Sequence, residues 1–548
     1  MRRDETKQPR TLSKYHNYVL LMRNLDSFSR LHNKDTTFLS VSRLFIFFQL
    51  IVCASSFTTK PTVFSSNTFV PKVVKNCNPY HKTTTTTAGM APQESHDDDI
   101  LGDDNITEEE VEGITQRTKK RLVLVGGGHS HLQVIKGLNY ASRPKDLEVV
   151  LIDVTNYPCY SGMVPSCVAG LYAPSEALVD LEALAKWSKI EFVKDRVVDI
   201  NVNSKVLTTK GNRQLSFDAV SIDIGSTSRG LLDVPGAREH TIPTRPISEL
   251  VRRIEVSTDV LKSNNNAHLG RNNHQHSKLN IVVVGGGAAG IELSMAVLGR
   301  WKPIVGASNI SVRVLNSMDC IFPNETPANQ KAVTERLEER GIEIFHRATV
   351  RRVEEDSLLL ESGERIGFTH CLWATGAECH SELVGSLRNH GLAVSNHGWI
   401  KVNESFQSTS HPFVFAAGDC CTMELPGGER TPPKAGVYAV RAGPVLIENL
   451  TRFLKDKNNF ESSNNSYFGE SRNAEASGLK TYVPQKDFLK LLACGDGRAL
   501  GFRFGIPIYG KWVFQMKDAI DRSFLDLFKQ ENLPNLIPGQ PYDTSQYE

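Results

Sequence analysis

Two aliphatic runs, Leu122–Val125 and Ile281–Val284, each empty into a glycine-rich turn followed by a helical pattern, and the chain closes on short apolar runs separated by glycine turns. Together they predict an α/β protein with two Rossmann-like dinucleotide-binding domains and a small α+β C-terminal region. A continuous aliphatic run suits a strand covered on both faces of a parallel sheet. The 548 residues leave room for more than one domain, at roughly 100–200 residues each. With 40% hydrophobic and 23% charged residues, the chain reads as globular rather than as a collagen, a coiled coil or a wholly disordered polymer. Its 63 basic and 61 acidic residues leave a net charge of +2, which provides no field to hold nucleic acid. No apolar run reaches the roughly 18–20 residues that span lipid, which excludes a polytopic membrane protein. Ten cysteines without a C-x-x-C pair favour neither zinc nor a disulfide framework, so reduced, mostly buried thiols are expected.

Residues 1–118 read as a targeting presequence and a disordered acidic spacer. Arg43, the apolar run Leu44–Cys53 and the small residues Ala54, Ser55 and Ser56 have the form of a signal-peptide core. Residues 58–90 are rich in Thr, Ser, Lys and Pro without an acid, like an organelle transit peptide. That order resembles the two-part plastid presequence of algae with complex plastids. It implies a plastid location, with a mitochondrion or another membrane-associated organelle as the alternative. Asp97–Asp99 through Glu108–Glu110 form the solvated spacer.

In the first unit Leu122–Val125 enters Gly126-Gly127-Gly128-His129-Ser130-His131. Gly126 permits the tight turn, and Gly128 lets backbone approach a pyrophosphate at the helix N-terminus. His131 stands where the third glycine of G-x-G-x-x-G belongs, which predicts looser helix–strand packing. His129, Ser130 and His131 are expected to contact phosphate. The second strand ends in Asp153, at the spacing of the acid that binds a ribose 2′-hydroxyl.

The second unit keeps all three glycines in Gly285-Gly286-Gly287-Ala288-Ala289-Gly290. Its second strand ends in Asn316, where a protein selective for NAD carries an acid; losing that carboxylate removes repulsion of a 2′-phosphate. The site is therefore expected to accept NADPH as well as NADH, with Ser317 a candidate contact and no obvious arginine cluster following. Between and after the units, strands run into Gly225-Ser226, into Ala374-Thr375-Gly376 and into Ala416-Ala417-Gly418-Asp419.

The two glycine motifs, the two strand-to-glycine turns and the final Ala-Gly-Asp, in that order, resemble the flavoprotein family of pyridine nucleotide–disulfide oxidoreductases from about residue 120 onward. The resemblance implies FAD on the first unit, NAD(P)H on the second, and Asp419 holding the ribityl chain of FAD. It divides the chain into an FAD domain in two parts, 119–245 and 365–454, an NAD(P)H domain at 246–364, a linker at 455–482 and a C-terminal hairpin and helix at 483–548.

Disulfide reductases of this family carry a C-x-x-x-x-C pair after the first glycine motif, and this chain has neither cysteine there. Cys159 and Cys167, or Cys159 with Cys371 or Cys379, are the pairs that would imitate a dithiol relay or the widely spaced cysteines of sulfide:quinone oxidoreductases. Without a dithiol, electrons leave the flavin directly for a diffusible acceptor, as in the type II NADH dehydrogenases that the chain resembles in length and motif order. Two features of that branch are replaced, a glutamine by Gly436 and a helix glutamate by Ala296. Gly128–His131, Tyr160–Pro165, Pro433–Arg441 and Lys517–Asp521 are more similar to a subfamily often linked to selenophosphate synthetase in bacteria, whose plant relative looks like a plastid NAD(P)H–quinone oxidoreductase.

The resemblance implies an FAD enzyme that passes electrons from NAD(P)H to a quinone-like acceptor. Glu292 would orient the nicotinamide, or merely favour the first helical turn. The helix beginning near Ala435 and Gly436 would aim N–H groups at the flavin, with Lys434 adding positive charge. Tyr160, Ser161 and Gly162 would line the flavin. No metal site is expected. The alternatives are a nicotinamide-sensing flavoprotein of the apoptosis-inducing-factor type and an oxidoreductase of selenium metabolism. Near the C-terminus, Phe488–Cys494 and Ala499–Phe504 read as a hairpin, and Trp512, Val513, Met516, Ile520 and Phe524 as one face of an amphipathic helix. That face would lie on a membrane surface, on its own domain or on a second subunit of a homodimer.

Overall fold

The structure is a computed structural model describing residues 119–269, 278–425, 431–456, 478–485 and 487–539. The expected presequence and most of the expected linker lie outside the described residues. Strand β1 (Lys120–Val125) leads into helix α1 (His129–Gly137) and β2 (Leu147–Asp153), and α2 (Leu181–Ser188) returns the chain to β3 (Glu191–Lys194). A three-stranded antiparallel sheet over residues 197–216 precedes β4 (Ala219–Ile222). The chain then crosses through β5 (Ile242–Pro243) and α3 (Ile247–Leu269) to β6 (Leu279–Val284), α4 (Ala288–Val305), β7 (Ile310–Leu315), α5 (Pro327–Glu339) and β8 (Ile342–Phe345). A second antiparallel sheet over residues 350–367 leads to β9 (His370–Trp373), and the chain returns to β10 (Val414–Ala416) and α6 (Gly436–Lys455). Last come the antiparallel strands β11 (Lys490–Ala493), β12 (Ala499–Arg503) and β13 (Ile506–Gly510), then α7 (Lys511–Asp526).

Both large sheets are wholly parallel and share one plan: β10-β4-β1-β2-β3 in the first and β8-β7-β6-β9-β5 in the second. In each, the strand order reverses beside the strand that carries the glycine turn, which opens a crevice there for a nucleotide. Leu122, Val123 and Leu124 are wholly buried, as a strand covered on both faces requires. The topology moves two expected domain boundaries. Ile242-Pro243 pairs with Leu372-Trp373 inside the second sheet, so the nucleotide unit starts before residue 246 and runs beyond 364. Sequence order misled because β5 precedes its sheet and has only two residues. Pro243 fits because β5 is an edge strand with no further neighbour awaiting its missing N–H.

Glycines set how closely the layers meet. A Cβ on Gly443 of α6 would lie 2.5 Å from the Gln133 amide of α1. One on Gly299 of α4 would lie 2.0 Å from the Gly495 carbonyl, so the β11–β12 turn rests directly on α4. The Arg340–Asp496 ion pair, at 2.7 Å, closes the same contact. The C-terminal region has a third strand, β13, beyond the expected hairpin.

Candidate functional site

The two glycine turns differ in how much room they leave. Gly285 has φ +125°, and a Cβ there would lie 2.2 Å from the Ala374 carbonyl; one on Gly290 would lie 1.8 Å from the Gly285 carbonyl. Glycine is thus demanded at both, the second for close helix–strand approach. Gly287 and Gly376 face open space, Gly287 and Ala288 are exposed, and no side chain caps α4. The second unit therefore presents bare N–H groups at a helix start, the chemistry that holds a pyrophosphate. Asn316 at the end of β7 donates its amide to the carbonyls of Met318 and Cys320, both at 2.9 Å. It closes its own loop, and its oxygen sits against Gly286.

In the first unit Gly126 has φ +90°, and a Cβ there would lie 2.4 Å from the Asp223 carbonyl. Asp153, at the end of β2, accepts from the N–H groups of Gly127 (2.6 Å) and Thr155 (2.8 Å), and burial raises its carboxyl above the ordinary value. His131 corrects two expectations. It is fully buried, its Nδ1 lies 2.6 Å from the Gly126 carbonyl and its Nε2 lies 2.8 Å from the Ser221 hydroxyl. Since a carbonyl only accepts, Nδ1 carries the proton and Nε2 accepts from Ser221. Both nitrogens are spent, so His131 does not contact phosphate. The imidazole bridges β1 and β4 rather than loosening the packing. Burial lowers its pKa to about 4, so it stays neutral. Ser130 is also turned inward, its hydroxyl donating to the Ala439 carbonyl at 2.7 Å.

Sequence reasoning missed Asp223. Its carboxylate accepts from the N–H groups of Ser130 (2.9 Å) and His131 (3.2 Å), capping α1 from the neighbouring strand. Burial, the largest cause, with the nearby Asp419 adding to it, lifts its pKa to about 7. Positions for Cβ on Gly128 and Gly418 would fall 2.3 and 2.5 Å from this carboxyl, which explains glycine at both. The signal was present in the sequence as an acid at the end of β4, just before Gly225.

Asp419 lies in a cleft lined also by Gly418, Cys421, Lys434, Ala435 and Tyr438. Its Oδ2 accepts from Ser226 and pairs with Arg245, each at 3.2 Å. Arg245, in the crossing between the sheets, is a second residue the sequence reading missed. Helix α6 starts at Gly436 with no side-chain cap, beside Ser161 and His129. Lys434 lines the cleft, but its ammonium is engaged by the Cys421 carbonyl and stands 4.3 Å from the Trp399 ring centroid. Gly225 and Gly376 end β4 and β9 with positive φ, as turns leaving parallel strands. The glycine turn, Asp153, the Asp419 carboxylate and the bare start of α6 are a donor and acceptor set that fits FAD along this unit. Asp223 fits an adjacent pyrophosphate when it carries its proton.

The C-terminal helix completes the site. Lys517 of α7 is 5% exposed and donates to the Gly162 carbonyl and to Asp521, both at 2.6 Å. Tyr160 packs between His129 and Phe524, at 5.1 Å from each ring, and burial and Asp521 together raise its phenol above the usual range. His129 is held neutral, lowered to about 4 by burial although Asp419 opposes this. Glu292, half-buried, lies in α4 just past its first turn, which holds no acid, so it does not serve there as a first-turn charge; it accepts from the Ala493 N–H of β11 at 2.7 Å. Burial raises its pKa to about 7 against the opposing pull of Lys517. Glu292, Lys517, Asp521 and Tyr160 thus form one protonatable group where both nucleotide units and the C-terminal sheet meet.

That packing places part of the α7 face on its own domain, one of its three expected locations. Val513, Phe524 and Leu525 of its apolar face are buried within the chain, and Ile520 is the exposed large apolar residue. Among the described residues no helix is long and apolar enough to cross a membrane. The cysteine pairs considered above differ in their surroundings. Cys371 is buried inside β9, in a different apolar cluster from the one Cys159 packs against. Burial pushes the Cys159 thiol up to about 12 and Cys167 to about 11, so neither supplies a thiolate. No cluster of three or more metal-ligating side chains occurs among the described residues.

Fold and site define a class: a two-dinucleotide oxidoreductase with flavin on one parallel sheet and nicotinamide on the other. The family model described as pyridine nucleotide-disulphide oxidoreductase matches residues 120–443, and the chain belongs to that family. Its cofactors are FAD and NAD(P)H. The chain is 22% identical over 412 residues to the type II NADH:quinone oxidoreductase of Staphylococcus aureus, covering 74% of this chain and 94% of that protein. Among solved structures, the sulfide:quinone oxidoreductase of Aquifex aeolicus aligns at a TM-score of 0.57 with 18% identity, covering 76% of this chain and 92% of that one. NDH2 from Plasmodium falciparum in complex with NADH aligns at 0.54 with 14% identity, covering 76% and 99%. These structural likenesses establish the fold.

Proposed function

We propose that this protein oxidises NAD(P)H at its flavin and passes two electrons to a quinone-like acceptor without a redox dithiol. The observation that carries this reading is the group at the junction of the two units: Glu292, Lys517, Asp521 and Tyr160. Bound FAD supplies hydride acceptance from the nicotinamide and two-electron delivery to the acceptor. The chain supplies position and protons. Asp419, oriented by Ser226 and Arg245, would hold ribityl hydroxyls, and Asp153 would hold the adenosine ribose. Reduction of a quinone consumes two protons with its two electrons. Glu292, lifted to about 7, can hold or release a proton at neutral pH, and the Lys517 ammonium beside it favours the carboxylate once the proton has left.

The type II NADH:quinone oxidoreductase among the relatives supports this acceptor class. The acid-poor stretch before residue 91 supports a plastid setting, which a fluorescent fusion of residues 1–118 tests by its location. The function itself is tested by anaerobic mixing with NADH or NADPH, then with soluble quinones, sulfide-derived and selenium acceptors. Bleaching of the flavin followed by fast recolouring with quinone is expected. A flavin that neither nicotinamide bleaches removes the assignment, and a reduced form that persists against every acceptor favours a sensing role instead.

A further inference from the structure

We infer that the second unit contains a 2′-phosphate subsite in which Arg347 is the counter-charge, making NADPH the preferred donor. The inference rests on the reading of this unit as the NAD(P)H site and deepens it. The two units offer an internal comparison. At the end of β2 the first unit places Asp153, whose carboxylate joins its glycine turn through the Gly127 N–H at 2.6 Å. At the same place in the second unit, Asn316 lies against the corresponding glycine, Gly286, with its amide tied to its own loop. The position that repels a 2′-phosphate in the first unit is neutral in the second.

The positive charge comes from the neighbouring strand, which sequence order alone could not show. The end of β8 is stitched to the loop after β7 by three backbone bonds: Asn316 N–H to the Phe345 carbonyl (2.8 Å), Arg347 N–H to Met318 (3.2 Å) and Ala348 N–H to Asn316 (2.9 Å). Arg347 is therefore fixed opposite residues 316–319 by its main chain while its side chain is 80% exposed. Its guanidinium reaches across to Asp319 at 2.5 Å, an ion pair that is itself 60% exposed on the acid side. A pair so open to water is weakly held. A doubly charged phosphate is the stronger partner for a guanidinium fork. Ser317 is exposed in the same loop, and His346 approaches Asn316 at 3.4 Å, so further donors surround the place. Asp319 holds Arg347 over the subsite until the phosphate displaces it.

The test separates binding from turnover. The purified holoprotein is titrated calorimetrically with 2′,5′-ADP and with 5′-AMP, which differ only in the 2′-phosphate. Tighter binding of 2′,5′-ADP by about tenfold or more is expected, the scale of one charge-assisted contact. Arg347→Asn, chosen because φ at this residue is +54° and Asn tolerates that backbone, is expected to erase the difference and leave 5′-AMP unchanged. Asp319→Asn is expected to widen it. Equal affinity for the two probes, or a preference for 2′,5′-ADP that survives Arg347→Asn, overturns the inference. So does a preference for 5′-AMP that Asp319→Asn abolishes, since Asp319 would then be the acid for a free 2′-hydroxyl. Because no step needs electron transfer, a flavin that stays unbleached would fail the proposed function and leave this result standing.

Discussion

Replacing Asp223 by Asn probes the first glycine turn where its electrostatics are most strained. The carboxyl is 3% exposed, and burial holds its pKa at about 7 although two N–H groups of α1 pull the other way. An acid raised above its ordinary value of 3.8 binds more protons folded than unfolded, so its contribution to stability is complete below about pH 4. That contribution is lost as pH rises towards 7. The distance from 3.8 to about 7, at about 1.36 kcal/mol per pH unit, sets a ceiling of about 4 kcal/mol. Asparagine keeps an oxygen for the Ser130 and His131 N–H groups and cannot ionise, so it escapes the penalty. Urea unfolding of both proteins between pH 4.5 and 8.5 reads the difference. The variant should gain little at the acid end and about 2–4 kcal/mol relative to the parent at the alkaline end, and it should keep its flavin at pH values where the parent sheds it. A stability difference that is flat across this range would refute the argument, because it would mean the carboxyl does not titrate between those limits.

Three further outcomes follow from the same contacts. Gly290→Ala places a Cβ 1.8 Å from the Gly285 carbonyl; an overpacking cost of about 1–3 kcal/mol and loss of nucleotide binding with flavin content intact are expected, read by calorimetry and flavin absorbance. His131→Phe strands the Gly126 carbonyl and the Ser221 hydroxyl in the core, at about 1–3 kcal/mol for each, measured as a lower urea midpoint. Lys517→Met leaves Asp521 buried and unpaired, a loss of about 3–5 kcal/mol that Lys517→Met with Asp521→Leu should largely restore. Because Lys517 lowers the Glu292 pKa, the same single variant should move the ionisation seen in the pH profile of flavin reduction to higher pH.

What the sequence made legible is what short-range pattern encodes. Strands β1 and β6, both glycine turns, Asp153, Asp419 and the start of α6 each depend on residues within one turn or one strand, and all stand where the pattern put them. The errors share a different cause. His131 was read by its place in a glycine motif, but an imidazole with two directed nitrogens can fill the gap that glycine usually leaves, provided a strand such as β4 offers Ser221 in return. Arg245, Asp223 and the β5–β9 pairing are brought to their partners by chain crossings, so no local periodicity announces them. The apolar face of α7 was visible, but what it covers was not.

That last point bears on how the site is built. The Glu292 carboxylate is held by the Ala493 N–H 201 residues later, and the Gly162 carbonyl by Lys517 355 residues later. The C-terminal sheet and α7 are thus a structural wall of the junction rather than an appendage to it. The turn at Gly495, pressed on Gly299 without room for a Cβ, fixes the height of that wall above α4. A change in that turn should therefore alter the proton affinity of Glu292 before it alters the binding of either nucleotide, since the glycine turns lie on the parallel sheets and Glu292 is the group that takes its hydrogen bond from β11.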